Sequence, residues 1–148
     1  MVSMKIVIQR VISADVLVGE ESVGSINKGY LVLLGVKEGD GVDDANILSE
    51  KLSKLRVMAD EEDKMNLNLE DSDGEVLVVS QFTLYADTKK GNRPAFTKAA
   101  SPEDAEKLYE VFVKNLKDKG LTVETGVFGA TMDIRTKLDG PVTIIIES

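Results

Sequence analysis

Tyr30-Leu31-Val32-Leu33-Leu34-Gly35-Val36 is a continuous apolar run, entered through the turn Asn27-Lys28-Gly29 and left through Gly39-Asp40-Gly41. It has no polar alternation, so it reads as a strand covered on both faces. Val76-Leu77-Val78-Val79 has the same character, follows the turn signal Asp73-Gly74, and runs straight into Ser80-Gln81-Phe82-Thr83-Leu84. Between the two runs, Ala45, Leu48, Leu52 and Leu55 recur at spacings of three and four, which predicts a helix from about Val42 to Val57. The polar stretch Ala59–Asp73 predicts loops, with a short extended piece at Met65–Leu69.

On the N-terminal side, Lys5–Val11 and Ala14–Val18 read as two short strands, with Ser22–Ile26 returning after the turn Gly19-Glu20-Glu21. On the C-terminal side, Gly91–Ala99 is a loop. A second helix follows, capped by Ser101, with Pro102 in its first turn and Asp104 placed to complete a capping box. Ala105, Leu108, Tyr109, Phe112, Val113 and Leu116 form its apolar stripe, and Gly120 ends it. Leu121–Thr125, Thr131–Lys137 and Val142–Glu147 are further strands. Two amphipathic helices cover only one face of a large sheet, so strands must cover the other. The expectation is an α/β fold, a three-layer α/β/β sandwich with mixed strand directions and both main helices on one face.

The 148 residues fit one domain, 1–148, and 43% hydrophobic content supplies a core without staples. No apolar run approaches the roughly 18 residues of a membrane helix, and Met1–Arg10 has no signal-peptide core. A cytoplasmic location and no membrane partner are expected. There is no cysteine, hence no disulfide, no thiolate nucleophile and no cysteine metal site. There is no histidine either, which excludes Ser-His-Asp and Cys-His hydrolysis and the usual zinc sites. No metal and no cofactor are expected.

The net charge of −8 argues against a general nucleic-acid binder. Acidic residues crowd Asp40–Asp44, Asp60–Asp63 and Glu70–Glu75, while basic ones gather in Lys89-Lys90-Gly91-Asn92-Arg93 with Lys98 close behind. On charge alone that basic segment is a solvated turn, although a compact basic loop is able to touch a few phosphates. For Arg93 a structural ion pair is the first expectation.

Two segments carry candidate chemistry. Ser80, Gln81 and Thr83 bring hydroxyl and amide groups to the end of a buried strand, and Phe82 brings a face on which a base can stack. On the residues alone the simpler expectation is Phe82 in the core and Thr83 an ordinary strand residue. A threonine nucleophile needs an adjacent base. With histidine absent and no lysine or carboxylate marked for the task, a covalent intermediate on Thr83 is disfavoured. Asp139-Gly140-Pro141-Val142-Thr143 reads as a turn before the last strand. Gly126-Val127-Phe128-Gly129-Ala130-Thr131-Met132 reads as a turn or bulge entering a strand and lacks dinucleotide or P-loop spacing.

Taken together, Ile8-Gln9-Arg10-Val11, Ser80–Leu84 with Tyr85-Ala86, Asn92-Arg93-Pro94, Gly126–Met132 and Gly140–Thr143 resemble the bacterial D-aminoacyl-tRNA deacylase pattern across nearly the whole chain. One departure is Leu138-Asp139 before Gly140-Pro141, where the family often carries asparagine. The resemblance implies a homodimeric hydrolase that proofreads translation by cleaving D-aminoacyl-tRNA, and mischarged glycyl-tRNA, with tRNA rather than DNA as partner. It implies a cis Gly140-Pro141 peptide that enters the partner subunit's active site, its carbonyl oxygens filling the space an L side chain would need. It implies substrate binding by Ser80, Gln81, Phe82 and Thr83. Catalysis would fall to backbone N–H groups around Phe82 and Thr83, with help from the 2′-hydroxyl of the substrate. The competing readings are a threonine-nucleophile esterase with a lysine base, and a non-catalytic RNA-binding module using the Lys89–Arg93 loop.

Overall fold

The computed structural model describes residues 3–148; Met1 and Val2, part of the N-terminal stretch read for a signal sequence, lie outside the described residues. In chain order the elements are strands β1 (Lys5–Val18), β2 (Glu21–Ile26) and β3 (Gly29–Gly35), then helix α1 (Val42–Lys54). Short strands β4 (Met58–Ala59) and β5 (Met65–Leu67) and the single-turn helix α2 (Leu69–Ser72) precede strand β6 (Glu75–Ser80). A 3-10 turn at Phe82–Tyr85, helix α3 (Pro102–Asp118), and strands β7 (Thr122–Thr125) and β8 (Asp133–Glu147) complete the chain.

The two apolar runs are the centre of one mixed six-stranded sheet in which β3 and β6 lie side by side and parallel. β7 extends the parallel part beside β6, while β1 runs antiparallel to β3, β2 and β8. The two strands expected at the N-terminus are one. Its pairing with β3, Lys5↔Gly35 to Val11↔Gly29, continues in the same register into β2, from Ala14↔Ile26 to Val16↔Gly24. The inward-facing positions change sides midway, from Ile6 and Ile8 to Val11, Ala14 and Val16, and exposed Ile12 marks the change. That change of side made one strand look like two.

The switch also builds the layers. Ile6, Ile8, Tyr30, Val32, Leu34, Val76 and Val78 face α1 and α3, whose Leu48, Leu52, Leu108 and Phe112 complete the larger core. Val11, Val16, Ile26, Leu31, Leu77 and Val79 form a second core made of strands alone. There β2 folds over the parallel strands so closely that a Cβ on Gly24 would stand 2.4 Å from the carbonyl oxygen of Thr125. The fold is α/β with both main helices on one face, and its second β layer is the curled half of the same sheet. Helix α1 stops at Lys54 instead of Val57, because Leu55 turns extended and the chain proceeds to pair β4 with β5. Ser101 Oγ accepts from Asp104 N at 3.2 Å, giving the Ser101 half of the expected box. Among the described residues no helix is long and apolar enough to cross a membrane.

All three tyrosines are pushed upward in pKa, chiefly by burial, Tyr30 to about 12. An unfolded phenol ionises near pH 10, so the stability these groups contribute is complete below that pH. It is lost as pH rises from about 10 through the folded value near 12. Phenolate absorbance should therefore appear together with loss of circular dichroism in one alkaline transition. Ordinary titration near pH 10 in a chain that stays folded would contradict this.

Candidate active site at the end of the central strand

β6 delivers Ser80 to the edge of the core, and Gln81 N still donates to Leu34 O at 2.8 Å, so the ladder with β3 holds to the last residue. The chain then leaves the sheet, as expected at the end of the buried strand, in a 3-10 turn at Phe82–Tyr85, so Thr83 is not the strand residue of the simpler expectation. Tyr85 fixes that turn. Its hydroxyl donates to Ser3 O and to Gly35 O, the latter at 3.4 Å. Its ring covers Gly35, where a Cβ would stand 2.9 Å from Tyr85 Cε2. With Tyr85 turned in, Phe82 turns out and is 55% exposed, which corrects the simpler expectation that it is core.

The first N–H groups of a helical turn have no intrahelical acceptor. Those of Phe82 and Thr83 donate to no other described residue. The Thr83 hydroxyl accepts from Gln81 Nε2, and a carboxamide is not a base.

Beside this turn lies a cavity of about 510 Å³, a size typical of small-molecule sites. Ser80, Gln81 and Phe82 line its mouth, and Val79, Ala105, Met132 and Ile134 form its apolar wall. Phe96 stands edge-on to Phe82 with ring centroids 5.0 Å apart. Phe128, from the stretch read as a simple turn, completes the wall and packs against Tyr109, whose hydroxyl donates to Val78 O at 3.2 Å. Phe96, Phe128 and Met132 are the wall residues that sequence reasoning missed. The one available signal was the pair of glycines around Phe128. Among the described residues no Asp, Glu, Lys, Arg or Tyr side chain lines the cavity, so no described side chain there titrates. Thr83 is exposed just outside it.

Gly140 and Pro141 lie elsewhere. The expected turn between two strands is a bulge inside the single strand β8, the Gly140-Pro141 peptide being cis. Between the pairs Gln9↔Thr143 and Val11↔Leu138, β1 contributes only Arg10 where β8 contributes residues 139–142. The bulge stands exposed at Gly140 and Pro141. Arg10, 8% exposed, holds its base: Nε donates to Asp139 O at 3.3 Å and pairs with the Asp139 carboxylate at 3.3 Å, while Nη1 donates to Val57 O at 2.8 Å. The chain thus brings Ser80, Gln81 and Phe82 to one cavity but does not bring Gly140 and Pro141 to the cavity of the same chain.

Comparison with known proteins identifies the family. Residues 7–147 match the family described as D-Tyr-tRNA(Tyr) deacylase. A D-aminoacyl-tRNA deacylase of Clostridioides difficile (strain 630) is 55% identical over 145 residues, covering 98% of this chain and 97% of the relative. One from Exiguobacterium sp. (strain ATCC BAA-1283 / AT1b) is 54% identical over 144 residues, covering 97% and 98%. Among solved structures, a protein titled c-Myc DNA Unwinding Element Binding Protein superposes with a TM-score of 0.90 at 40% identity, covering 97% of this chain and 98% of that one. A probable eukaryotic D-amino acid tRNA deacylase shares the fold, with a TM-score of 0.86 at 16% identity over 99% and 100%. With matches that span nearly its whole length, the chain belongs to the D-Tyr-tRNA(Tyr) deacylase family.

Proposed function

We propose that this chain hydrolyses the ester bond of D-aminoacyl-tRNA, and of mischarged glycyl-tRNA, releasing free tRNA and the amino acid. Family membership supplies the reaction class. The observation that carries the mechanism is the cavity itself: among the described residues it has no titratable side chain, the exposed Phe82 ring stands at its mouth, and the backbone N–H groups of Phe82 and of Thr83, the latter just outside the lining, donate to no described residue. Such a site works by placement and by stabilising charge rather than by side-chain proton transfer.

In this reading the terminal adenosine stacks on Phe82, and Ser80 and Gln81 hydrogen-bond the aminoacyl ester. Water attacks the ester carbonyl, and the oxyanion is held by the N–H groups of Phe82 and Thr83. The neighbouring 2′-hydroxyl of the terminal ribose orients the water. The carbonyl–oxygen bond to the ribose then breaks, and the ribose oxygen takes up the proton the water gives.

Chirality is read by a second subunit. Gly140 and Pro141 protrude from the protomer and lie outside its own cavity. A role in excluding L side chains therefore places them in the cavity of a partner copy, in a homodimer. Backbone atoms there fill the space on the L side of the α-carbon and leave the D side chain uninspected. β8 suits an interface: among the described residues it is a sheet edge paired only with β1, and Leu138 and Ile145 are exposed along it.

The deciding experiment is deacylation of matched D- and L-tyrosyl-tRNA. Rapid cleavage of the D-ester with the L-ester spared is expected. Equal rates on both would remove the editing reading.

A further inference from the structure

Resting on that reading, we propose that the loop between Asp87 and Lys98 is a phosphate-binding arm that grips the tRNA backbone just before the terminal adenosine. The loop is closed at its base by reciprocal backbone bonds, Asp87 N to Ala95 O at 2.7 Å and Ala95 N to Asp87 O at 2.8 Å. Asp87 Oδ1 also accepts from Lys89 N at 3.0 Å, which folds the chain back at the start of the tip. The tip is tied to the cavity by Phe96, one residue beyond the bridge, which lines the cavity and packs on Phe82. At about 3.3 Å per residue, half of the segment 88–94 reaches about 10 Å from its base. That is enough to pass the terminal nucleoside and meet the phosphates preceding it.

The charge is placed for the same task. Lys89, Lys90, Arg93 and Lys98 stand against the single carboxylate of Asp87 in this segment, on a chain whose net charge is −8. All four are exposed and, among the described residues, none pairs with a carboxylate. Arg93, for which an ion pair was expected, has none among the described residues. Eight of the fourteen other basic side chains each lie within 4 Å of an acidic group, so what sets this loop apart is four charges with no carboxylate partner among the described residues in one short segment next to the cavity. An acidic protein that must take a polyanion needs its uncompensated positive charge beside the cavity mouth, and this loop provides it there.

The test compares D-tyrosyl-tRNA with D-tyrosyl-adenosine, which carries no phosphate, using full-length protein with Lys89→Gln, Lys90→Gln and Arg93→Gln combined. On the tRNA ester, kcat/KM is expected to fall about tenfold or more at low salt, through KM, with kcat at saturation unchanged. The slope of log kcat/KM against log salt should shrink by about 2, from about 0.7 for each lost contact to single-stranded phosphate. The adenosine ester should be cleaved as by the wild type. A control removing equal charge from α3, Lys107→Gln, Lys114→Gln and Lys117→Gln combined, should keep the wild-type slope. Equal losses on both esters, no loss on tRNA, or the same loss in the control would each overturn the proposal. Failure of the wild type to cleave either ester would instead sink the deacylase reading on which it rests.

Discussion

Exchanging the backbone amide of Thr83 for an ester, so that the N–H becomes an oxygen while the side chain is kept, is expected to lower kcat on D-tyrosyl-tRNA by about 10²–10³-fold. Thermal stability should hardly change. An amide exchange of this kind usually removes a donor bond worth about 1 kcal/mol, but the Thr83 N–H donates to no described residue, so the fold loses no donor bond and only the weakened acceptor strength of the Phe82 carbonyl remains as a cost. KM should move little if, as proposed, the donor meets charge that exists only in the transition state. The same exchange at Phe82 should act alike. Thr83→Ala should retain near-normal kcat, since the hydroxyl has only the Gln81 carboxamide beside it and no base. A loss in Thr83→Ala as deep as in the ester, or an acyl group trapped on Thr83, would replace the backbone mechanism with a nucleophilic one.

The contrast between the two variants also marks how far the sequence could be read. Side chains announce themselves in a sequence and backbone donors do not. The missing histidine argued against a conventional nucleophile, but the free N–H groups follow from the turn at Phe82–Tyr85. That turn is imposed by Tyr85 reaching back to Gly35, 50 positions away in the chain. Such a contact leaves no local pattern, so Phe82 looked like core. The buried strands and both main helices were legible because apolar periodicity is local. Gly140-Pro141 was misplaced as a turn for the opposite reason. Its local composition is that of a turn, and only the pairing on either side, Gln9↔Thr143 and Val11↔Leu138, makes it a bulge within β8. The cavity wall drew on β6, α3 and the segment around Phe128, and nothing in their spacing linked them.

Arg10→Ala is the variant expected to damage chiral selection most. Arg10 is nearly buried and serves three acceptors, the carbonyl oxygens of Asp139 and Val57 and the carboxylate of Asp139. Removing it leaves the buried Val57 carbonyl and the part-buried Asp139 carbonyl without their donor, while the half-exposed Asp139 carboxylate turns to water, costing about 1–3 kcal/mol, and frees residues 139–142 to shift. A shift of about 1 Å in a positioning element costs about 10²-fold, so the preference for D- over L-tyrosyl-tRNA should fall by about that factor, mainly by a gain in cleavage of the L-ester. Arg10→Lys should recover only part of it, because one ammonium cannot span acceptors that a guanidinium fork reaches from two directions. Mixed dimers separate selection across subunits from selection within one. Phe82→Ala weakens the stacking platform by about 1–3 kcal/mol but leaves the bulge whole. Pairing an Arg10→Ala subunit with a Phe82→Ala subunit puts an intact Phe82 opposite an intact bulge in one of the two sites. If Gly140 and Pro141 act on the partner, that heterodimer regains cleavage both fast and selective at one site, whereas the Arg10→Ala homodimer cleaves without selection and the Phe82→Ala homodimer selects but cleaves slowly. If they act within their own chain, every site keeps one defect, and mixing restores nothing.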